Sequence, residues 1–146
     1  MAAHSLNGEP VELFGVSFLP VPLIHGPQTT VGFRFGRAAY LTDFSDIPAS
    51  SLEHLRDLDV LFLDALRHEP HPMHTTVARA VQWAEELRPK KAYLTHICHQ
   101  LPHQETCDNL PPNVELAYDG LRLEVAGVSD AGAKNAAVKN AGAKNA

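Results

Sequence analysis

Four short apolar runs in this sequence each end at a residue that can bind a metal ion. Short continuous apolar runs are typical of buried strands, and ligands gather outside the carboxyl ends of the strands of an α/β sheet. The pattern therefore predicts an α/β fold with two imidazoles and two carboxylates at one edge, a set that suits a hard or borderline divalent cation. The runs are 21–24 before His25, 38–42 before Asp43, 60–63 before Asp64 and 92–95 before His96.

Composition narrows the class of protein. A chain of 146 residues is long enough for one domain with a buried core. Its net charge of −5 argues against a nucleic-acid surface, because phosphate binding needs a basic stripe. Nine histidines are present, and six of them lie between residues 68 and 103. This number of histidines is the unusual feature of the composition.

The two cysteines, Cys98 and Cys107, predict free thiols. No signal peptide or membrane-spanning run is visible, so we expect a reducing, cytoplasmic setting and no membrane partner. A zinc knot formed with His99 and His103 is disfavoured, because the paired short spacing of a zinc finger is missing.

The sequence divides into a globular part and a tail. Residues 1–127 carry the apolar pattern, whereas 128–146 contain Ala-Gly-Ala-Lys-Asn-Ala twice and no large apolar residue except Val128 and Val138. Such a segment cannot bury enough surface to offset its ordering entropy. We therefore expect a domain over 1–127 and a disordered low-complexity tail over 128–146.

Strand and helix signals alternate along residues 11–125. The dipeptide Gly36-Arg37 predicts a hairpin, and Asp119-Gly120 predicts a second one. Thr75 is a candidate N-cap for the strongest helix, which Pro89 terminates. The predicted strands are 11–18, 19–24, 30–35, 38–42, 59–63, 91–95, 114–117 and 121–125, and the predicted helices are 50–56 and 74–87.

Five segments, taken together, resemble one known family. The chain is similar over about residues 11–126 to the metallo-β-lactamase superfamily, in particular to the branch with the cyclic phosphodiesterases of the carbon–phosphorus lyase pathway. The tRNA 3′-processing nuclease is a more distant relative. The segments that carry the resemblance are 22–26 (Pro-Leu-Ile-His-Gly), 41–43 (Leu-Thr-Asp), 60–65, 94–99 (Leu-Thr-His-Ile-Cys-His) and 117–120.

The resemblance implies a role for each matching residue. His25 resembles the ligand of a first metal, Asp43 the carboxylate that bridges two metals, and His96 the ligand of the second. His74 resembles the histidine that protonates the leaving oxygen, although a helix-terminal residue without chemistry is an equal alternative. Asp64 resembles a carboxylate that orients a ligand histidine, with turn capping as the alternative, and His99 is expected near the site without binding metal. The implied cofactor is Zn²⁺ or Mn²⁺.

One element of the family is missing. The His-x-His-x-Asp-His motif, which supplies further metal ligands, appears nowhere in the sequence. The chain therefore resembles the carboxyl-terminal half of an αββα sandwich, with a mixed sheet and helices on one face. We expect at most one bound metal, and an apolar sheet face that pairs with a second copy or with a complementing amino-terminal half.

These observations support three functional hypotheses. The first is a metal-dependent hydrolase that acts on a small phosphodiester by the two-metal mechanism implied for the intact family. The second is a non-catalytic half-domain that binds a metal or a partner chain. The third is an inactive truncated product.

Overall fold

The fold is built on one mixed sheet. The computed structural model describes residue 6 and residues 8–128, and in that part of the chain seven strands lie side by side in chain order. The strands are β1 (Val11–Leu13), β2 (Val16–His25), β3 (Gln28–Phe35), β4 (Ala38–Leu41), β5 (Val60–Asp64), β6 (Lys91–Thr95) and β7 (Val114–Leu116). A 3-10 helix (Ala49–Leu55) and the α-helices α1 (Val77–Leu87) and α2 (His103–Asp108) connect the later strands.

The pairing of neighbouring strands changes once across the sheet, from antiparallel to parallel. Strands β1 to β4 pair antiparallel, and β4 to β7 pair parallel. Because β2 and β4 are both antiparallel to β3, strands β2, β4, β5 and β6 all run in the same direction. Their carboxyl ends therefore share one edge of the sheet.

The face that carries the helices holds the main core. A row of leucines crosses it in register, since Leu41 pairs with Leu63, Leu63 with Leu94, and Leu94 with Leu116. All four are 0–1% exposed. Burial of one such side chain contributes about 1.5–3 kcal/mol. This row is what holds the parallel strands in a fixed register.

Helix α1 closes the helical face with an amphipathic surface. Its buried residues are Val77, Ala80, Trp83 and Ala84, which recur at helical spacing. Trp83 is 4% exposed, and the guanidinium of Arg79 lies 4.2 Å from the centre of its ring. This arrangement combines apolar burial with a cation–π contact.

The opposite face, here called the aromatic face, consists of Phe18, Phe33, Phe35, Tyr40, Phe62 and Tyr93. Neighbouring rings contact each other across the strands, with centroids 5.2 Å apart for Tyr40 and Phe62 and 5.6 Å apart for Phe62 and Tyr93. After β7, Leu121 and Val125 pack against part of this face. Tyr40 remains 40% exposed. The face is therefore only partly covered.

Several predicted elements are confirmed, and others need correction. The first hairpin forms across Gly36-Arg37, with Gly36 at φ +54°. The second hairpin is wrong, because residues 121–125 form no strand, and Leu121 and Val125 are partly buried against the aromatic face instead. The predicted helix 50–56 is a 3-10 helix over 49–55.

The start of the long helix also differs from the prediction. It begins at Val77, with Thr76 as N-cap accepting a hydrogen bond from the Arg79 N–H at 3.2 Å. Thr75 donates its hydroxyl to the Phe44 carbonyl oxygen instead. That bond holds the preceding residues outside the helix.

Two further expectations concern the tail and the absence of a membrane-spanning segment. The tail prediction falls on residues 128–146, of which all but Val128 lie outside the described residues. In the described part of the chain, no helix has the length and apolarity that a membrane span requires.

Candidate metal centre

Strand direction brings the predicted donors to one edge. His25 is the last residue of β2, Asp64 is the last residue of β5, and His96 directly follows β6. Asp43 lies two residues beyond β4, and its Oδ1 is 3.8 Å from His96 Nε2. The four residues lie together because their strands are parallel and end at nearly the same level.

His74 lies at the centre of this group. Its ring centroid is 4.9 Å from that of His25, 4.7 Å from that of His96 and 5.0 Å from that of His71. Two sets of donors result, each with ligand atoms within 4.8 Å of one another, and His74 belongs to both. The sets are His25 with Asp43 and His74, and Asp64 with His74 and His96.

The loop that carries His74 is pressed against the β2–β3 turn. Gly26 has φ +58°, and a Cβ on it would lie 2.3 Å from Met73 Sδ and 3.5 Å from the Pro72 carbonyl oxygen. Only glycine permits both this backbone conformation and this approach. The Gly26 N–H also donates to Ser45 Oγ at 3.1 Å. Gly26 therefore allows His74 to lie beside His25.

Asp64 fixes the orientation of His74. The carboxyl group is 0% exposed, and its Oδ2 accepts a hydrogen bond from the Phe44 N–H at 3.1 Å and shares a hydrogen bond with His74 Nδ1 at 2.9 Å. Burial raises the pKa of Asp64, and the bonds from His74 and Phe44 oppose that rise. Since a contact of 2.9 Å requires a hydrogen between the two atoms, the pair holds at least one proton.

His71 places a further imidazole ring beside His74. Burial, followed by the proximity of His74, lowers the pKa of His71. Its Nδ1 lies 3.2 Å from the Met73 N–H, which donates to it. The contact between the rings of His71 and His74 was not predicted from the sequence. The spacing of His68, His71 and His74 was the only available signal.

Backbone strain marks two of the candidate ligands. Asp43 and His96 have φ values of +55° and +58°, in the left-handed region. This conformation costs a residue with a Cβ about 1–2 kcal/mol, less for aspartate. Strain of this kind persists where the surroundings demand it and is common at functional sites.

The donor set fits a divalent cation. Imidazole nitrogens and carboxylate oxygens are ligands for Zn²⁺ and Mn²⁺. The Nδ1 of His25 is buried and has no hydrogen-bond partner among the described residues, and the same is true of Asp64 Oδ1. An unpartnered buried nitrogen next to two other donors costs free energy unless something binds it. The residues present can therefore hold a metal.

His99 was also expected near the site. It is exposed, and its place near the site stays a prediction. Arg67, beyond the end of β5, donates from its guanidinium to the carbonyl oxygens of Glu69 and Pro70 at 3.3 and 3.2 Å. A cleft of about 480 Å³ opens beside His96 and is lined by Thr95, Ile97, His103, Ala117, Tyr118 and Asp119.

Comparison with known proteins agrees with this geometry. The family model described as "Beta-lactamase superfamily domain" matches residues 1–97. The chain belongs to the metallo-β-lactamase superfamily. This membership confirms the predicted family and the α/β fold with a mixed sheet, and it places the chain in a family of metal-dependent hydrolases.

Solved structures of the superfamily resemble the chain over most of its length. A structure described as a new diphosphatase from the PhnP family is 56% identical, with a TM-score of 0.83, and the match covers 86% of this chain and 49% of that chain. YhfI from Bacillus subtilis is 19% identical, with a TM-score of 0.64 over 77% of this chain and 51% of YhfI. The short form of human tRNase Z is 18% identical, with a TM-score of 0.62 over 83% of this chain and 48% of its own.

A curated relative from Porphyromonas gingivalis, named octanoyltransferase, is 33% identical over 114 residues. The match covers 77% of this chain and 23% of that protein. The chain thus spans about half the length of the solved structures that it matches and about a quarter of this relative.

Proposed function

We propose that this chain provides part of the metal site of a hydrolase that acts on a phosphodiester or diphosphate. The observation that carries the proposal is the convergence of His25, Asp43, His74 and His96 at one sheet edge, with donor atoms within 4.8 Å in each set. The 56% identity to a diphosphatase supports phosphoryl chemistry. His25, Asp43 and His96 would hold the cation, which we expect to be Zn²⁺ or Mn²⁺.

When bound, a divalent cation supplies positive charge to a phosphoryl oxygen and makes bound water more acidic. The chain's own residues supply the rest. His74 donates Nδ1–H to Asp64 Oδ2, which orients the ring and leaves Nε2 available. From Nε2 a proton can pass to the leaving oxygen.

A second candidate function is a half-domain that binds a metal or a partner chain without catalysis. Two observations favour it. The His-x-His-x-Asp-His motif is absent from the sequence, and the aromatic face is only partly covered. In this alternative, as in a complete hydrolase, a complementing amino-terminal half or a second copy would supply the remaining donors.

The proposal can be tested with bis-p-nitrophenyl phosphate and added Mn²⁺ or Zn²⁺. We expect weak activity from the chain, and binding of at most one metal equivalent. Asp43→Ala should abolish both, because the carboxylate holds the cation. Asp57→Ala is a matched control, since Asp57 has the same left-handed φ of +55° and is exposed.

The role of His74 as a proton donor is tested by comparing two esters with different leaving groups. His74→Ala should reduce hydrolysis of an alkyl diester by about 100-fold, the low end of general-acid effects. It should cost much less on the nitrophenyl ester, since nitrophenolate leaves without a proton. Activity that persists in EDTA and in Asp43→Ala would reject the proposal. Metal binding that needs Asp43, without turnover of either ester, would favour the binding half-domain.

A further inference from the structure

A second cluster of reactive side chains lies on α2, and its His103 also lines the cleft beside His96. His103 and Cys107 are four residues apart, so a helix places them on the same side. Cys107 Sγ lies 3.8 Å from His103 Nδ1. The thiol is partly buried, whereas the imidazole is exposed. Neither residue takes part in the hydrolysis proposed above.

Strand β7 fixes which nitrogen of His103 carries the hydrogen. His103 Nε2 lies 3.2 Å from the Leu116 carbonyl oxygen. A carbonyl oxygen only accepts, so Nε2 must be the donor. In the neutral ring Nδ1 then carries a lone pair, and this lone pair faces the thiol. The imidazole is thus held as a base for Cys107.

The same residue of β7 also contacts the sulfur. The Leu116 N–H donates to Cys107 Sγ at 3.4 Å. An N–H donor stabilises the anionic sulfur more than the neutral thiol. Leu116 is 1% exposed, so its peptide groups are held by the sheet. A nucleophile next to a base, with the base oriented by a third group, is the general arrangement of an activated nucleophile.

Space for a small reagent lies beside the sulfur. A cavity of about 310 Å³ is lined by His103, Gln104, Cys107, Asp108, Glu115 and Tyr118, among others. The carboxylate of Glu115 is paired with Lys91. The cavity is open enough for a compound of a few non-hydrogen atoms to reach the thiol from solvent.

We propose that Cys107 is a nucleophilic thiol, activated by His103, that undergoes exchange with low-molecular-weight disulfides. In the forward step His103 Nδ1 takes the thiol proton, and the thiolate attacks one sulfur of the disulfide. A new S–S bond forms to Cys107 while the old S–S bond breaks. The second half leaves as a thiolate and receives the proton from His103. The protein thiol is oxidised, and the disulfide is reduced.

The two cysteines of the chain allow a matched test. Cys98→Ser leaves Cys107 as the single thiol, and Cys107→Ser leaves Cys98, which is also partly buried. Each variant is mixed with 4,4′-dithiodipyridine in EDTA, and release of thiopyridone is followed by absorbance. We expect the Cys107 chain to react at least about tenfold faster, a modest part of what a positioned base can give.

Two further measurements distinguish activation of the Cys107 thiol by His103 from a difference in the accessibility of the two thiols. The Cys107 chain should react faster folded than in urea, whereas burial alone would make it slower. His103→Gln in the Cys98→Ser background should lower its folded rate about tenfold, while Gln104→Ala on the same helix should not. If His103→Gln fails to fold, the comparison with urea decides. Equal rates for the two cysteines, a slower rate when folded, or no effect of a folded His103→Gln would overturn the proposal.

Discussion

At the scale of single residues, the metal centre uses backbone conformations that most residues avoid. Asp43 and His96 both lie in the left-handed region, within two residues of the ends of β4 and β6. Placing an imidazole there bends the chain out of the sheet immediately after Thr95. Both residues carry a Cβ, so this conformation costs free energy that the rest of the fold must offset.

A pair of substitutions at His96 measures the free-energy cost of the left-handed backbone conformation. We expect His96→Gly to be more stable than His96→Ala by about 1 kcal/mol, because glycine adopts φ +58° without a Cβ clash. Both variants should lose metal affinity equally. Urea unfolding and metal titration provide the measurements.

An unstrained position supplies the comparison. At Gln82, which is exposed within α1, glycine should be less stable than alanine by about 1 kcal/mol. If His96→Gly is also less stable than His96→Ala, the left-handed conformation is not a source of strain.

At the scale of elements, one carboxylate joins the amino ends of three parallel strands. Asp59 Oδ1 accepts hydrogen bonds from Arg37, before β4, at 2.9 Å and from Lys90, before β6, at 3.0 Å. The two bonds, that of Lys90 first, lower the pKa of Asp59. These contacts lie at the edge of the sheet opposite to the metal centre.

This lowered pKa predicts a pH-dependent stability. A carboxyl group whose pKa is lower in the folded state stabilises that state above its unfolded pKa, about 3.9, and the effect is lost as pH falls through the folded value. Asp59→Asn should therefore lower the urea midpoint at pH 7, and the difference from wild type should shrink below about pH 4. Asp57→Asn, at an exposed position, should show no such trend. A difference that is the same at pH 3 and pH 7 would contradict the ion-pair explanation.

Sequence reasoning succeeded where a single physical signal dominates. The apolar runs predicted β4, β5 and β6, because a continuous run of apolar residues has few alternatives to a buried strand. Sequence reasoning failed where two signals in the same segment favour different structures. Leu121 and Val125 carry a strand-like pattern, yet their burial against the aromatic face outweighs a ladder beside β7. The start of α1 was misplaced because Thr75 and Thr76 are both capping residues, and only the contact with Phe44 decides between them.

The candidate site was predictable to a similar extent. Strand-end positions identified His25, Asp43, Asp64 and His96 without any knowledge of topology. His74 lies between the rings of His25 and His96, and this position depends on the approach of Met73 to Gly26. Such a contact between distant loops leaves no periodic signal. The left-handed backbone at His96 likewise has no signature in the residue type.

At the scale of the whole molecule, the helical face of the sheet is covered more completely by other parts of the chain than the aromatic face is. The helical face is closed, whereas Tyr40, Leu13 and Phe14 are 40%, 49% and 89% exposed. Tyr40 belongs to the aromatic face, where exposed aromatic rings favour association. We expect the chain to form dimers or larger species in light-scattering chromatography.

Charge placed on the aromatic face should weaken this association. Tyr40→Lys is expected to shift the population toward monomer, because a buried ammonium at a dimer interface is costly. Gln82→Lys adds the same charge on the helical side and should leave the population unchanged. A wild-type chain that elutes as a sharp monomer would show that the aromatic face is already covered sufficiently.

The distribution of the fluorescent side chains across the sheet gives the protein two built-in optical labels. The chain has one tryptophan, Trp83, which is buried on the helical side. Tyr93 and Tyr40 lie on the aromatic face, and Tyr118, the third of its three tyrosines, lines a cavity together with Tyr40 and Phe62. Tryptophan emission therefore reports on the packing of α1, and tyrosine quenching reports on the opposite side. A partner that covers the aromatic face would change the tyrosine signal and leave the tryptophan spectrum as it was.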